Sequence, residues 1–366
     1  MKLLRISPSI LDIPFREAFK HASAERAATQ TLWVQCATAT GVTGVGEGCP
    51  REYVSGESLE SALAFVAKHQ DAWMAEIDSV DALRMWVETN RVSLDVNPAA
   101  WSAVELAILD ALAIEKNCSI EKLLGLPELC GNFLYTAVLG DASAASFQKQ
   151  LERYLANGFT DFKIKLSGNL ELDMQKIAVL RATGVPAGRV RADANNLWPD
   201  VASAVLHMKA LNFAFMGLEE PIRTGSPQAL RQVAVALGTK VILDESLLRL
   251  DQIGDFEEDR QHWIVNLRIS KMGGILRSLD MLSAIREAGF GLIVGAHVGE
   301  TSVLTRAALT IANQGRDILI AQEGAFGTHL LAHDVVEQPL MFGHGGILEF
   351  ATGGKPGLGL DVRVPT

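Results

Sequence analysis

Charged residues follow four consecutive apolar segments at a regular interval. Lys163 and Lys165 end one segment, and residues two apart share one side of a strand. Asp193, Glu219 and Asp244 follow the next three segments, 26 and 25 residues apart, which is about one strand–helix unit each. Three carboxylates without a nearby Cys or His form an all-oxygen site, which suits Mg²⁺. A helix N-cap stays open as the alternative for any single acid.

Lysine and Mg²⁺ together suggest proton abstraction beside a carboxylate. Removal of an α-proton converts a carboxylate substrate into an enediolate, and a divalent cation stabilises the charge that develops. A lysine acts as a base near neutral pH only where burial or nearby positive charge lowers its pKa, and Lys163 supplies such a charge beside Lys165. A solvated strand end is the plainer interpretation of the two lysines.

Short apolar strands alternate with helical segments from about residue 134. The helices include Leu170–Thr183 and Ile275–Ala288. Eight strands with helical crossovers predict a (β/α) barrel, in which functional residues lie at the carboxyl ends of the strands. A doubly wound open sheet is the competing architecture. The eight predicted strands are Tyr135–Leu139, Asp161–Lys165, Val190–Asp193, Phe215–Glu219, Val241–Asp244, Trp263–Arg268, Leu292–Ala296 and Ile318–Ala321.

A different pattern precedes the barrel. The β-like run 31–36 leads into a glycine-punctuated stretch from Gly41 to Gly48, which predicts turns. Helical periodicity then holds from about Leu59 to Leu124. We therefore expect an α+β domain over residues 1–128, a barrel carrying the site over 129–330, and a Gly-rich segment over 331–366 that packs back on the first domain.

The pattern of charged residues resembles the muconate-lactonizing branch of the enolase superfamily, over nearly the whole chain. The similar segments are 163–165, 193–195, 219–221, 244–245 and 271–274, together with Gly46-Glu47-Gly48 and Pro356-Gly357-Leu358-Gly359. The resemblance implies a modified TIM barrel under an N-terminal α+β capping domain. It also implies Asp193, Glu219 and Asp244 as Mg²⁺ ligands, Lys165 as the base and Lys163 as its charged neighbour.

Substrate contacts are expected from the capping domain. Residues 15–21 resemble the mobile, substrate-contacting loop of the family. Arg16, Phe19, His21 and Tyr53, with the loops after the seventh and eighth barrel strands, are therefore the predicted substrate-binding residues.

Two strand ends depart from the family pattern. Arg268 stands where racemising members usually carry a second lysine, and arginine cannot be deprotonated at ordinary pH. Its guanidinium can instead bind a carboxylate or stabilise an enolate. Glu323 follows the eighth strand, where dipeptide epimerases of this branch carry an Asp-x-Asp that grips the substrate amino group. Glu323 remains a candidate substrate contact or acid.

His297 ends the seventh strand, which resembles the mandelate-racemase branch, where a histidine there is the second base. The partner aspartate of that histidine is missing, because its position corresponds to Arg268. His297 is therefore a candidate for acid–base work, for substrate hydrogen bonding or for packing.

Three functions follow. The first is a Mg²⁺-dependent isomerase or lyase that uses one-base chemistry from Lys165, of the cycloisomerase or dehydratase type. The second is a racemase or epimerase that uses Lys165 and His297. The third is an inactive binding protein of the same fold, in which Arg268 has removed the chemistry.

Composition excludes several other classes. The 366 residues are 48% hydrophobic and 21% charged, which indicates a large buried core. The net charge of −10 and the lack of a basic cluster argue against nucleic acid. The four cysteines lack disulfide or zinc spacing, and no apolar stretch suits a secretion signal or a membrane span. We expect a soluble cytoplasmic enzyme that forms a homo-oligomer and acts on a small carboxylate.

Overall fold

A computed structural model describes residues 1–21, 24–140, 143–223 and 226–363, with the side chains of 17–21, 24 and 25 left undescribed. The first part of the chain combines a three-stranded antiparallel sheet, ordered β1-β4-β5, with a β2–β3 hairpin and helices. These elements are β1 (Leu3–Leu11), β2 (Pro14–His21), β3 (Ala24–Ala28), β4 (Thr31–Thr38), β5 (Thr43–Gly48), α1 (Glu52–Ser55), α2 (Leu59–Glu76), α3 (Val80–Thr89), α4 (Arg91–Asp95), α5 (Pro98–Glu115) and α6 (Ile120–Leu124).

Close packing of β5 on α5 explains the glycine pattern that the sequence suggested to be turns. Thr43–Gly48 is a strand, and its glycines face the almost fully buried helix α5. A Cβ atom added to Gly46 would lie 2.0 Å from the Ala103 carbonyl oxygen, and one added to Gly48 would lie 1.9 Å from that of Ala99. The prediction of turns holds at residues 39–41 but is wrong for Thr43–Gly48, because a G-x-G-x-G run also permits this close approach of a strand to a helix.

The second part is a curled sheet of eight parallel strands surrounded by helices. The strands pair in chain order from β7 to β14, and the Thr136 amide donates to the Gln322 carbonyl across the first and last strands at 2.8 Å. The elements from β6 onward are β6 (Cys130–Leu134), β7 (Ala137–Leu139), α7 (Ala144–Ala156), β8 (Phe162–Lys165), α8 (Leu170–Ala182), β9 (Val190–Asp193), α9 (Val201–Leu211), β10 (Gly217–Glu219), α10 (Pro227–Leu237), β11 (Lys240–Leu243), β12 (Trp263–Leu267), α11 (Ile269–Met272), α12 (Gly274–Ala288), β13 (Gly291–Val294), α13 (Ser302–Gln314), β14 (Leu319–Gln322) and β15 (Ile347–Ala351).

This architecture is a modified TIM barrel with an N-terminal α+β capping domain, as predicted. The barrel strands coincide with the predicted ones to within a few residues. The segment after the barrel returns to β6, with which β15 pairs antiparallel, and its Gly357 amide donates to the Cys118 carbonyl at 2.9 Å. The proposed domain boundaries at residues 128 and 330 stay predictions.

Buried carboxylates join the capping domain to the barrel. Glu47 of β5 accepts hydrogen bonds from the Thr301 amide and hydroxyl at the start of α13. Glu105 of α5 accepts from the Leu276 amide of α12 at 3.0 Å. Burial raises the pKa of both groups to about 7 against the hydrogen bonds that lower it.

Among the helices that the structure describes, none is long and apolar enough to cross a membrane.

Candidate active site

Strand register aligns the predicted base with two predicted metal ligands. Lys165 at the end of β8 pairs with Asp193 at the end of β9, and Asp193 pairs with Glu219 at the end of β10. Asp244 follows β11 directly, so that all four residues lie at the carboxyl ends of neighbouring strands. In a parallel barrel this edge is where catalytic residues collect.

Lys163 lies within a ring of carboxylates. Its Nζ is 2.8 Å from Glu219, 2.9 Å from Glu323 and 3.2 Å from Asp193. Burial opposes the charge on Lys163, but Glu219, Glu323 and Asp193 together hold its pKa well above the usual value. Lys163 is therefore charged at neutral pH, and its role as the charged neighbour of the base stays a prediction.

Lys165 is held by its side chain and by its backbone. Its Nζ donates to Asp193 Oδ2 and, at 2.9 Å, to Asn195 Oδ1, and its carbonyl accepts from Lys176 Nζ at 2.9 Å. Burial alone would raise the pKa of Asp193, but the ammonium groups of Lys165 and Lys163 hold it below its usual value. Lys165 keeps 12% of its side chain exposed toward the pocket, whereas Lys163 keeps 3%.

Arg268 lies against the third predicted ligand. Its guanidinium donates to Asp244 Oδ2 and lies 3.8 Å from Glu219 Oε1. Lys271 holds the other side of Asp244, with Nζ 2.9 Å from Oδ1. Burial opposes the charge of Arg268, but Asp244, Glu245 and Glu219 hold its pKa above the usual value, so this side chain cannot accept a proton from a substrate.

The donor chemistry of this edge fits Mg²⁺. Asp193, Glu219 and Asp244 are buried and offer only oxygen atoms, and the nearby Glu245 Oε2 accepts no hydrogen bond from a described residue. Within the described ranges, no group of three or more Asp, Glu, His or Cys side chains is already close enough together to hold a metal ion. Lys163, Lys165 and Arg268 form ion pairs with these carboxylates. The role of the three acids as ligands stays a prediction.

Glu323 contacts two cations at once. One oxygen accepts from Lys163 Nζ at 2.9 Å, and the other lies 3.4 Å from Arg191 Nη2. Arg191 in turn donates to Asp161 at 2.8 Å and to the Thr136 hydroxyl. Although Glu323 still lines the pocket, its charge is therefore balanced by the protein itself.

His297 follows β13 and lines the same pocket as Lys165. Its Nδ1 lies 3.4 Å from Glu300 Oε1 but forms no hydrogen bond among the described residues, while its backbone amide donates to that oxygen at 2.6 Å. Burial, followed by the charges of Arg268 and Arg51, holds the pKa of His297 well below its usual value. The imidazole is therefore neutral at pH 7.

One cavity of about 100 Å³ collects half of the predicted site residues, though not the three predicted metal ligands. It is lined by Tyr53, Lys163, Lys165, Arg268, His297 and Glu323, together with Val138, Asn195, Glu245, Ala296, Val298, Gly324, Phe326 and Leu330. Arg16 does not line it; its side chain donates to the Thr328 and Leu331 carbonyls instead. The backbones of Phe19 and His21 lie in β2, but their side chains are outside the described residues.

Several pocket residues were missed from the sequence. Asn195 lies two residues after one predicted strand and Glu245 lies directly after the next but one, which was the available signal. The backbone of Asn195 is left-handed, with φ of 44°, as are Glu220 at 38° and Ala325 at 50°. Such conformations are costly for residues other than glycine and collect at functional sites. No local sequence pattern identifies Phe326 and Leu330, which form an apolar part of the cavity lining.

Two family models match most of the chain. The model for the enolase C-terminal domain-like family matches residues 146–365, and that for the mandelate racemase/muconate lactonizing enzyme N-terminal domain matches residues 8–125. The chain therefore belongs to the mandelate racemase/muconate lactonizing enzyme branch of the enolase superfamily, and is an enzyme of that superfamily.

Characterised relatives cover almost all of the chain. The L-Ala-D/L-Glu epimerase of Bacillus subtilis is 26% identical over 98% of this chain and 97% of its own length. The chloromuconate cycloisomerase of Cupriavidus necator is also 26% identical, over 85% of this chain and 84% of its own. The dipeptide epimerase of Methylococcus capsulatus, whose crystal structure contains Mg and the dipeptide L-Arg-D-Lys, is 25% identical with a TM-score of 0.82, over 99% of this chain and 100% of its own.

Proposed function

We propose that the protein is a Mg²⁺-dependent racemase or epimerase that exchanges the α-proton of a small carboxylate, with Lys165 and His297 as its two acid–base groups. The observation that carries this proposal is the presence of both side chains in one cavity at the carboxyl ends of the second and seventh barrel strands. The epimerases among the relatives also favour this reaction over cycloisomerisation or dehydration.

Each group has a defined part in the proton transfers. In one direction the neutral imidazole of His297 removes the α-proton from one face and the Lys165 ammonium donates a proton to the other; in the reverse direction neutral Lys165 removes the proton and the protonated imidazole of His297 donates one. Glu300 has its pKa raised to about 8, chiefly by burial, so its carboxyl is largely uncharged at pH 7 and does not pull a proton onto His297. Mg²⁺ held by Asp193, Glu219 and Asp244 would supply positive charge where the substrate carboxylate becomes more negative.

Arg268 favours a second candidate function. Because it replaces the expected second lysine and cannot act as a base, the site also suits one-base isomerase or lyase chemistry from Lys165 alone, with Arg268 as an electrostatic partner of the substrate. The relative that is a chloromuconate cycloisomerase is consistent with this alternative. In that case only one face of the α-carbon would exchange.

The pocket favours a substrate without a free ammonium group. Glu323 is already paired with Lys163 and Arg191, so a substrate ammonium would be buried without a free partner there, which is costly. The same cavity also has apolar lining residues, including Val298 and Phe326. We therefore expect an N-acylated amino acid or a hydroxy acid rather than a free dipeptide, with Glu245 Oε2 open to a substrate N–H or O–H.

Solvent exchange tests the proposal directly. The purified protein with Mg²⁺ in D₂O is incubated with N-acylated amino acids, hydroxy acids, dipeptides and unsaturated diacids, and the products are read by mass spectrometry and chiral chromatography. Deuterium at the α-carbon with loss of optical purity supports a racemase or epimerase. Deuterium without inversion, or a new lactone or dehydrated product, would instead support the one-base alternative.

A further inference from the structure

Arg51 is a buried arginine whose hydrogen bonds all go to backbone carbonyls. Nη1 donates to Pro50 at 2.7 Å and to Gln30 at 3.1 Å, and Nη2 donates to Val298 at 2.9 Å and to Thr29 at 3.2 Å. Arg51 is 1% exposed, and it forms no ion pair with another described residue. Three of these four carbonyls belong to the capping domain, whereas Val298 immediately follows His297 in the barrel.

The backbone around Val298 also lies tightly against the capping domain. A Cβ atom added to Gly299 would lie 2.9 Å from the Phe15 ring and 3.1 Å from the Thr29 Cα. Gly299 has φ of 93°, which favours glycine. Two residues later, the Thr301 amide donates to Glu47 at 3.1 Å. The segment 297–301 is therefore fixed from the capping domain at three successive points.

The number and geometry of its hydrogen-bond donors explain why this position holds an arginine. A planar guanidinium presents five donors in a fixed fork, so that a single side chain satisfies carbonyls from separate segments at once. A buried cation without a carboxylate partner is costly unless its donors are used, and four of the five N–H groups of Arg51 are directed at these carbonyls while Nε–H has no described partner. Burying this charge only to fill space would cost free energy. The hydrogen bonds of Arg51 between the capping domain and the barrel therefore point to a functional requirement.

We propose that Arg51 is the positioning residue for His297, because it ties the backbone of Val298 to the capping domain and so sets where the imidazole meets the substrate. The proposal rests on the proposed function for its catalytic consequence, but its structural part stands on the hydrogen bonds alone. Lys165 lies on β8 and has no contact with Arg51 among the described residues, so the two acid–base groups are positioned independently.

Arg51→Met and Arg51→Lys test this against Arg277→Met as the matched control. Arg277 also joins capping domain to barrel, since it donates to Asp95 and to the Met272 carbonyl, but it lies away from the segment 297–301. The first readout is amide hydrogen exchange of the peptide 295–301 in the full-length protein. Exchange is expected to be faster in Arg51→Met than in wild type or Arg277→Met, with Arg51→Lys in between.

The second readout is α-proton exchange in D₂O, measured separately for each substrate enantiomer. Arg51→Met should slow exchange of the enantiomer served by His297 by about 10²-fold while the other enantiomer changes much less, because a small misplacement of a catalytic group has an effect of that size. Equal losses for both enantiomers, or unchanged amide exchange at 295–301, would overturn the proposal. If wild type exchanges only one enantiomer, the proposed racemase fails, and amide exchange alone then decides the role of Arg51.

Discussion

Lys165 is the residue on which the proposed chemistry depends most. It points into the cavity, contacts Asp193 and Asn195, and is the more exposed of the two lysines on β8. We predict that Lys165→Ala lowers turnover by about 10²–10⁴-fold, the usual contribution of a general base, while Mg²⁺ binding is retained because the three carboxylates remain. Calorimetric titration with Mg²⁺ is the control, and turnover comparable to wild type would refute the mechanism.

The three predicted Mg²⁺ ligands can be tested by the effect of Mg²⁺ on thermal stability. Asp193, Glu219 and Asp244 are buried and lie near lysine and arginine side chains. We predict that Mg²⁺ raises the melting temperature of the wild type, since a ligand that binds only the native state stabilises it.

Addition of Mg²⁺ should leave the melting temperature of Asp244→Asn nearly unchanged. Asp361 is an exposed acid paired with Lys355, so the melting temperature of Asp361→Asn should rise with Mg²⁺ as in wild type. Equal Mg²⁺ responses in all three proteins would show that the cation binds elsewhere.

Most of the site residues that were predicted from the sequence end a barrel strand, and Tyr53 of the capping domain came from the family resemblance. Lys163 and Asp193 could be identified because parallel strands bring their carboxyl ends to one edge. The pairing of Glu323 with Lys163 joins residues 160 positions apart, and Arg51 meets Val298 across 247 positions. Neither contact has a local pattern, so both required the tertiary structure.

At the scale of elements, the contact of β5 with α5 determines how the capping domain is built. Alternate glycines on the strand face alanines spaced four residues apart on the helix, which brings the two backbones together. We predict that Gly46→Ala destabilises the protein by about 1–3 kcal/mol or more, the usual cost of overpacking. Urea unfolding measures this change.

Gly188→Ala is the control for that substitution, because a Cβ atom there meets nothing within 4 Å. Equal stability of the two variants would contradict the close approach. The strands and helices of the barrel were predictable from hydrophobic periodicity, whereas this contact was not, because an alternating run of glycines carries no hydrophobic period.

At the scale of the whole molecule, buried carboxylates between capping domain and barrel predict a dependence of stability on pH. Glu47 and Glu105 have pKa values of about 7, raised above the unfolded value chiefly by burial. The native state thus binds more protons than the unfolded state, so the stability that these groups contribute is lost as pH rises through 7.

We predict that the free energy of unfolding falls by roughly 1.4 kcal/mol per group between pH 6 and 8. Urea unfolding at both pH values measures it. Glu47→Gln is expected to be less stable than wild type at pH 6, but its free energy of unfolding should fall less between pH 6 and 8. A free energy of unfolding that is constant or rises over this range would contradict the assignment.

In the proposed mechanism, residues of one cavity remove the α-proton from either face of a carboxylate substrate. The most direct test is α-proton exchange in D₂O with Mg²⁺, starting from each pure enantiomer of an N-acylated amino acid or hydroxy acid, in wild type, Lys165→Ala and His297→Asn. Both enantiomers should exchange in wild type, and each variant should lose exchange of a different enantiomer. Loss of the same enantiomer in both variants, or wild-type exchange of only one, would contradict the two-base account.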